Sequence, residues 1–311
     1  MLLSVVVSPI ATSMVSPSLL NKINTAQGVS LTLKDESYPI LELQNSKASA
    51  SIALHGAHLL QFTPVGQQPV IFTSDSAVYK EGKAIRGGIP ICWPYFNTHP
   101  TQKNFPSHGI ARNRFWELAS IQSTADKHTL VFEMPIHSED LNIIGGPCKL
   151  TVTFEITDTL EISLTTINTG TSDLIIGGAL HTYFTVGSIA NTSISGLDGV
   201  SNLDTLTRSS TIQNGAIEIK HEYDRIFIPS REAASIHDTS NKREIIVTKE
   251  NSCATTIWNP WIEKSSTMAD LGNDDYLSFL CIEAINWRED LQTISPGDSH
   301  SLVQKISTKV D

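Results

Sequence analysis

Between residues 148 and 166 the chain reads CKLTVTFEITDTLEISLTT, with apolar side chains on alternate positions: Leu150, Val152, Phe154 and Ile156, then Leu160, Ile162 and Leu164. A period of two is the repeat of an extended strand that packs one face and wets the other. Thr157, Asp158 and Thr159 interrupt the run with polar residues, so the pattern predicts two antiparallel strands joined by a hairpin. The same texture recurs in HTLVFEMPI (128–136), IEIKHEYDRIFIP (217–229) and REIIVTKENSCATTIWNP (243–260), each bounded by Asn, Asp, Gly, Ser or Pro. No ten-residue stretch carries a helical stripe capped at both ends. Short strands with turn signals every ~8–12 residues predict an all-β fold, a large antiparallel β-sandwich or barrel with few helices.

No Pro/Ser-rich linker, charge block, low-complexity tract or internal repeat divides the chain. The expected organisation is a variable lead-in or edge strand over residues 1–30, rich in Ser, Asn and Thr, followed by a single domain over 31–311. With 311 residues and 40% hydrophobic content, that domain can bury a large core.

Charge narrows the partners. A formal net charge of -10 argues against nucleic acid, whose binding is built on clustered Lys and Arg. An anionic small molecule stays open, because a few placed arginines make a local positive pocket in an acidic protein. Cys92, Cys148, Cys253 and Cys281 lie far apart without the paired spacing of a zinc site, and are expected to be reduced, mostly buried thiols. The opening MLLSVVVSPI lacks a basic segment and is interrupted by Pro9, unlike a secretory signal. No stretch approaches the ~18–20 apolar residues of a membrane helix. A cytoplasmic protein with no membrane partner is expected.

Four segments depart from ordinary strand texture. In KAIRGGIPICWPYFN (83–97), Arg86 precedes two glycines, which permit a sharp turn or close backbone approach and so can aim the arginine into a site. By itself it also reads as a surface arginine beside a turn. PSHGIARNRFWEL (106–118) gathers His108, Arg112 and Arg114; guanidinium forks match phosphate or carboxylate, and on a strand the two arginines would share a face. A solvated basic strand end is the alternative. In GGALHTYFTVG (177–187), His181 sits among small and apolar residues, the setting of a core histidine or of a proton-transfer group. In LSFLCIEAIN (277–286), Glu283 interrupts a deeply apolar run, where an unpaired carboxylate is costly; an ion pair or a general base would explain it. Asp224, beside Arg225, is a weaker candidate.

Together, RGGIPICWP, HGIAR followed by FWEL, LHTYF, YDRIF, WNPW, DLGNDDY and CIEAIN resemble, in order, the glucose-6-phosphate 1-epimerase group of the aldose 1-epimerase (galactose mutarotase-like) family. The strings span about Lys83 to Asn286. The resemblance implies a mutarotase-like β-sandwich with the sugar in a cleft on one sheet, and anomerisation of a hexose 6-phosphate by ring opening and reclosure. It implies His181 as catalytic acid and Glu283 as catalytic base, with Arg86 and Arg112 holding the phosphate and Asp224 and His108 contacting the sugar. No metal or organic cofactor is implied, and a monomer acting on a small sugar phosphate is expected. The chain departs from the commoner HGFAR string at Ile110, and carries Ser107 where some members have glutamine. An aldose 1-epimerase for unphosphorylated sugars and a non-catalytic carbohydrate-binding module are the competing readings.

Overall fold

A computed structural model describes residues 15–99 and 101–310; of the expected lead-in, residues 1–14 lie outside the described residues. Two eight-stranded sheets and a four-stranded sheet dominate, and every pairing between named strands is antiparallel.

The alternating run forms the expected hairpin. Cys148–Ile156 pairs with Leu160–Asn168 in a register that sets Leu150 opposite Thr166 and Phe154 opposite Ile162. With Glu117–Ser123, His128–Met134, Ser299–Val310, Arg243–Glu250, Ala234–Asp238 and Thr192–Ser195, these strands make one eight-stranded sheet. Its inward row, Val152, Phe154, Ile162 and Leu164, packs with Ile257, Leu280 and Ile282 of the other eight-stranded sheet in a single apolar cluster. The two sheets are the layers of a β-sandwich.

The second sheet runs, in spatial order, through Ser210–Ile212, Ser201–Asp204, Tyr223–Phe227, Ala254–Asn259, Phe279–Asn286, Gly178–Leu180 and Ile91–Cys92. Tyr183–Thr185 also pairs with Phe279–Asn286. Of the long run 217–229, only Tyr223–Phe227 becomes strand; Ile217 makes a lone bridge to Ile194. Arg112 and Arg114 do not lie on one strand face, because Ala111–Asn113 is a 3-10 turn.

Within the lead-in, Pro17–Asn24 is a helix. Ser16 caps it by accepting a hydrogen bond from the Leu19 amide, Pro17 occupies the first turn, and Leu19 and Ile23 bury against the core. Val29–Lys34 begins the four-stranded sheet, continued by Tyr38–Gln44, Ala48–Ala53 and His58–Pro64. None of the described helices is long and apolar enough to cross a membrane. Among the described residues all four cysteines are free, with Cys92 and Cys281 buried.

Burial also makes the fold acid-sensitive. Burial holds the imidazole of His55 down at about 4 and that of His58 down at about 3. The second bonds Gly87 O at 2.8 Å through Nε2. Unfolded, both titrate near 6.5, so between about 6.5 and 4 the unfolded chain binds more protons than the native one, and stability falls as pH drops. Each such histidine contributes a slope of up to about 1.4 kcal/mol per pH unit. Urea midpoints measured from pH 7.5 to 4.5 should fall steadily, and His58→Gln should flatten the decline; an unchanged slope would remove His58 from the account.

Candidate active site

Strand register assembles the site. Asp224 lies opposite Trp258, Thr256 opposite Glu283, and Cys281 opposite both Trp258 and Tyr183. Directly opposed residues in an antiparallel pair share a face, and so do residues two apart on one strand. Asp224, Thr256, Trp258, Cys281, Glu283 and Tyr183 therefore all point away from the inter-sheet core. Above them is a cleft of about 480 Å³, within the range of small-molecule sites. His181, Glu283, Arg86, His108, Arg112 and Asp224 all line it.

The histidine and the acid meet. His181 Nε2 is 3.4 Å from Glu283 Oε1, with the side chains 12% and 1% exposed. Burial, then His108, Arg112 and Arg86, push the His181 imidazole well below its usual value. Burial and the neighbouring Asp224 push the Glu283 carboxyl well above its own, against the pull of Arg112. Both shifts favour the uncharged forms, a protonated acid beside a neutral imidazole. His181 Nδ1, Glu283 Oε2, Thr256 Oγ1 and Arg112 Nε have no hydrogen-bond partner within the protein. Buried polar atoms are rarely left so, and at a cleft they suit the hydroxyls of a bound polyol.

Two glycines place Arg86. Gly87 has φ 99° and Gly88 φ 65°, conformations that L side chains avoid. A Cβ on Gly87 would lie 2.5 Å from Thr73 Cα, and one on Gly88 would lie 2.4 Å from Leu59 O. The turn is thus packed tightly from below, and Arg86 extends from its near end. Its Nε donates to Asp270 Oδ1 at 3.2 Å and its Nη1 to Tyr183 Oη at 3.0 Å. Arg112 is freer: its Nη2 donates to Ser107 O at 3.3 Å. Arg114 is elsewhere, forked onto Asp140 by two 2.5 Å bonds.

His108 stands beside the pair, its ring centroid 6.0 Å from that of His181. Burial, then Arg112 and Arg86, drive it down to about 3, so it is neutral. The Asn97 amide donates to its Nδ1 at 3.3 Å, which puts the ring proton on Nε2 as a donor.

Several cleft residues escaped the sequence reading. Trp258 and Tyr183 form an aromatic floor with Phe279. Asp270 steadies Arg86, and Lys264 enters the rim, its Nζ donating to Glu222 Oε1 at 2.9 Å. Trp258 and Asp270 belong to WNPW and DLGNDDY, so a signal existed, but neither string by itself points to chemistry.

Behind the pair, Gln304 reaches across from the other sheet. It is 0% exposed, accepts from Thr182 Oγ1 and donates to Ile282 O at 3.1 Å. Thr182 and Ile282 are the chain neighbours of His181 and Glu283. The amide therefore pins both catalytic candidates through the backbone segments that carry them. Gln304→Met should lower kcat by about tenfold with KM little changed, and Thr182→Val should add little more when combined with it. Additive losses, or a change confined to KM, would argue against the clamp.

An antiparallel sandwich whose cleft holds a buried carboxyl and an imidazole over an aromatic floor suits acid–base chemistry on a small polar molecule. Comparison with known proteins gives the class, an aldose 1-epimerase-type isomerase. The sequence pattern of the aldose 1-epimerase family matches residues 39–307, and the chain belongs to that family. It is 32% identical over 269 residues to an Escherichia coli (strain K12) protein named "Putative glucose-6-phosphate 1-epimerase", covering 86% of this chain and 89% of the relative. A Cenchrus ciliaris protein of the same name is 32% identical over 260 residues, covering 80% and 78% of the two chains. The crystal structure of a Salmonella typhimurium protein described as a putative mutarotase superposes with a TM-score of 0.86 at 29% identity, covering 94% of this chain and all of that one.

Proposed function

We propose that this isomerase interconverts the anomers of a hexose 6-phosphate, glucose 6-phosphate foremost, with His181 and Glu283 as the proton-transfer pair. The observation that carries the substrate class is the lightly engaged guanidinium of Arg112, which lines the same cleft as the pair and as Arg86. A phosphate on C6 is close to the ring oxygen, so groups that hold it must flank the acid that protonates that oxygen.

The proton inventory supports the chemistry. A protonated Glu283 beside a neutral His181 holds the same single proton as a carboxylate beside an imidazolium. Burial is the leading cause of both shifts and favours the uncharged arrangement. Moving the proton from Glu283 to His181 generates the working couple. Glu283 then removes the O1 proton, the C1–O5 bond breaks with its electron pair going to O5, and His181 protonates that oxygen. Rotation about C1–C2 turns the other aldehyde face, and the transfers reverse to close the opposite anomer. His108 Nε2 and Asp224 are placed in this reading as hydroxyl partners.

Phosphate binding favours the couple. Arg86 and Arg112 are among the charges that depress His181, and a dianion between them cancels that effect. Exchange NMR of anomers tests the reading: glucose 6-phosphate should exceed glucose and galactose in kcat/KM by about 100-fold or more, as two charge-assisted hydrogen bonds allow. Equal rates would favour a neutral-aldose enzyme, and exchange no faster than buffer would leave a binding module.

A further inference from the structure

We propose that His181, Glu283 and Cys281 form a binding site for a thiophilic divalent cation such as Zn²⁺ or Cd²⁺, which blocks the sugar cleft at its proton-transfer centre. The block rests on the reading of His181 and Glu283 given above; binding of the ion does not, and is measured separately from turnover.

One ligating atom from each of the three side chains lies within 4.8 Å of the others. The arrangement follows from the fold: Cys281 and Glu283 are two apart on one strand and so share its cleft face, while His181 arrives from the segment between Gly178–Leu180 and Tyr183–Thr185. Around a tetrahedral zinc ion, with bonds of about 2.0–2.3 Å, neighbouring ligand atoms stand roughly 3.3–3.7 Å apart. The His181–Glu283 pair already meets this at 3.4 Å. The sulfur needs a movement of about 1 Å at most to complete the triangle. His181 and Glu283 both also keep a second, unpartnered polar atom. Glu283 is 1% exposed, and its Oε2 has no partner, as is true of His181 Nδ1.

The electrostatics permit a cation despite two arginines. Arg86 is paired with Asp270, and Asp224 adds a second carboxyl near Glu283. Binding the ion releases the protons of Cys281 and Glu283 to solvent, and the thiolate and carboxylate so formed match its two charges. One sulfur, one nitrogen and one oxygen select a borderline or soft metal; Mg²⁺ and Ca²⁺ want oxygen ligands alone. Three protein ligands leave the fourth position facing the cleft, where a sugar oxygen would otherwise sit.

Cd²⁺ titrated into the whole protein should give the ultraviolet thiolate-to-cadmium band, saturating near one ion per chain, and Zn²⁺ should bleach it. Cys281→Ala should abolish the band and raise the Zn²⁺ concentration that halves anomer exchange by about 100-fold or more, since loss of a direct ligand exceeds the effect of an outer one. Cys281→Ser, which keeps the volume, should behave alike and guards against a packing defect in the alanine variant. No band in the wild type, or a band that survives both substitutions because another cysteine is the ligand, overturns the proposal. If the protein shows the Cys281-dependent band but no anomer exchange, the functional reading fails and the metal site stands.

Discussion

Glu283→Gln should lower kcat for glucose 6-phosphate by about 10³-fold, the worth of one positioned acid–base group, and should raise thermal stability at neutral pH rather than reduce it. Glutamine keeps the shape and cannot take the O1 proton. The stability sign follows from linkage. The folded carboxyl is held well above its usual value, mainly by burial, while in the unfolded chain it ionises near 4.3–4.5. Its favourable contribution is complete below that pH and is lost as pH rises toward the folded value, so at pH 7 to 8 folding works against a carboxyl that would rather be ionised in water. Glutamine removes that opposition, and its advantage over wild type should grow with pH across this range. Activity and stability then move in opposite directions, as expected where a strained polar group serves chemistry. Melting curves at pH 5 and pH 8, beside anomer exchange, check both halves. Wild-type turnover in the variant would end the assignment, and a lower melting temperature at pH 8 would refute the protonated-acid description of the resting site.

The sequence disclosed those parts whose burial is one-sided. The hairpin of 148–168 was readable because one face is wet, so alternation survives in the residue types. Phe279–Asn286 is buried on both faces, and periodicity there is mute; only the misfit of an acid in an apolar run drew notice to Glu283. That Glu283 meets His181 is a fact of register between strands far apart in the chain, which composition does not encode. Trp258 hid for a related reason: its strand is wholly buried, so a cleft-floor aromatic looks like core. The two phosphate candidates looked equivalent in sequence. Their difference lies in Asp270, 184 residues beyond Arg86, which already engages that arginine and leaves Arg112 the freer one. Arg114 was separated from Arg112 by the 3-10 turn and by Asp140. The helix Pro17–Asn24 did carry its signals, Ser16 as cap followed by Pro17, but eight residues offer little stripe to read.

The inequality of the arginines makes the last prediction. Arg112→Ala should cut kcat/KM for glucose 6-phosphate by about 100-fold, the loss of charge-assisted bonds to a group that does not react, while changing activity on free glucose by no more than about threefold. Arg86→Ala should harm both substrates, since it strands Asp270 and removes the donor to Tyr183 Oη beside the ring of His181, whose centroid is 5.0 Å from that of Tyr183. If the dianion also releases His181 from the depressing field of the arginines, the phosphate need not be attached to the sugar. Inorganic phosphite added with free glucose should then accelerate anomer exchange in the wild type, through kcat/KM, and should do so far less in Arg112→Ala. Phosphite raises the fraction of site with the proton on His181, so its effect should shrink where the arginine is gone. Equal losses on both sugars in Arg112→Ala would make that residue structural and the substrate a neutral aldose. A wild type indifferent to phosphite, with the selective loss intact, would confine the arginines to binding and leave the tuning of His181 to burial.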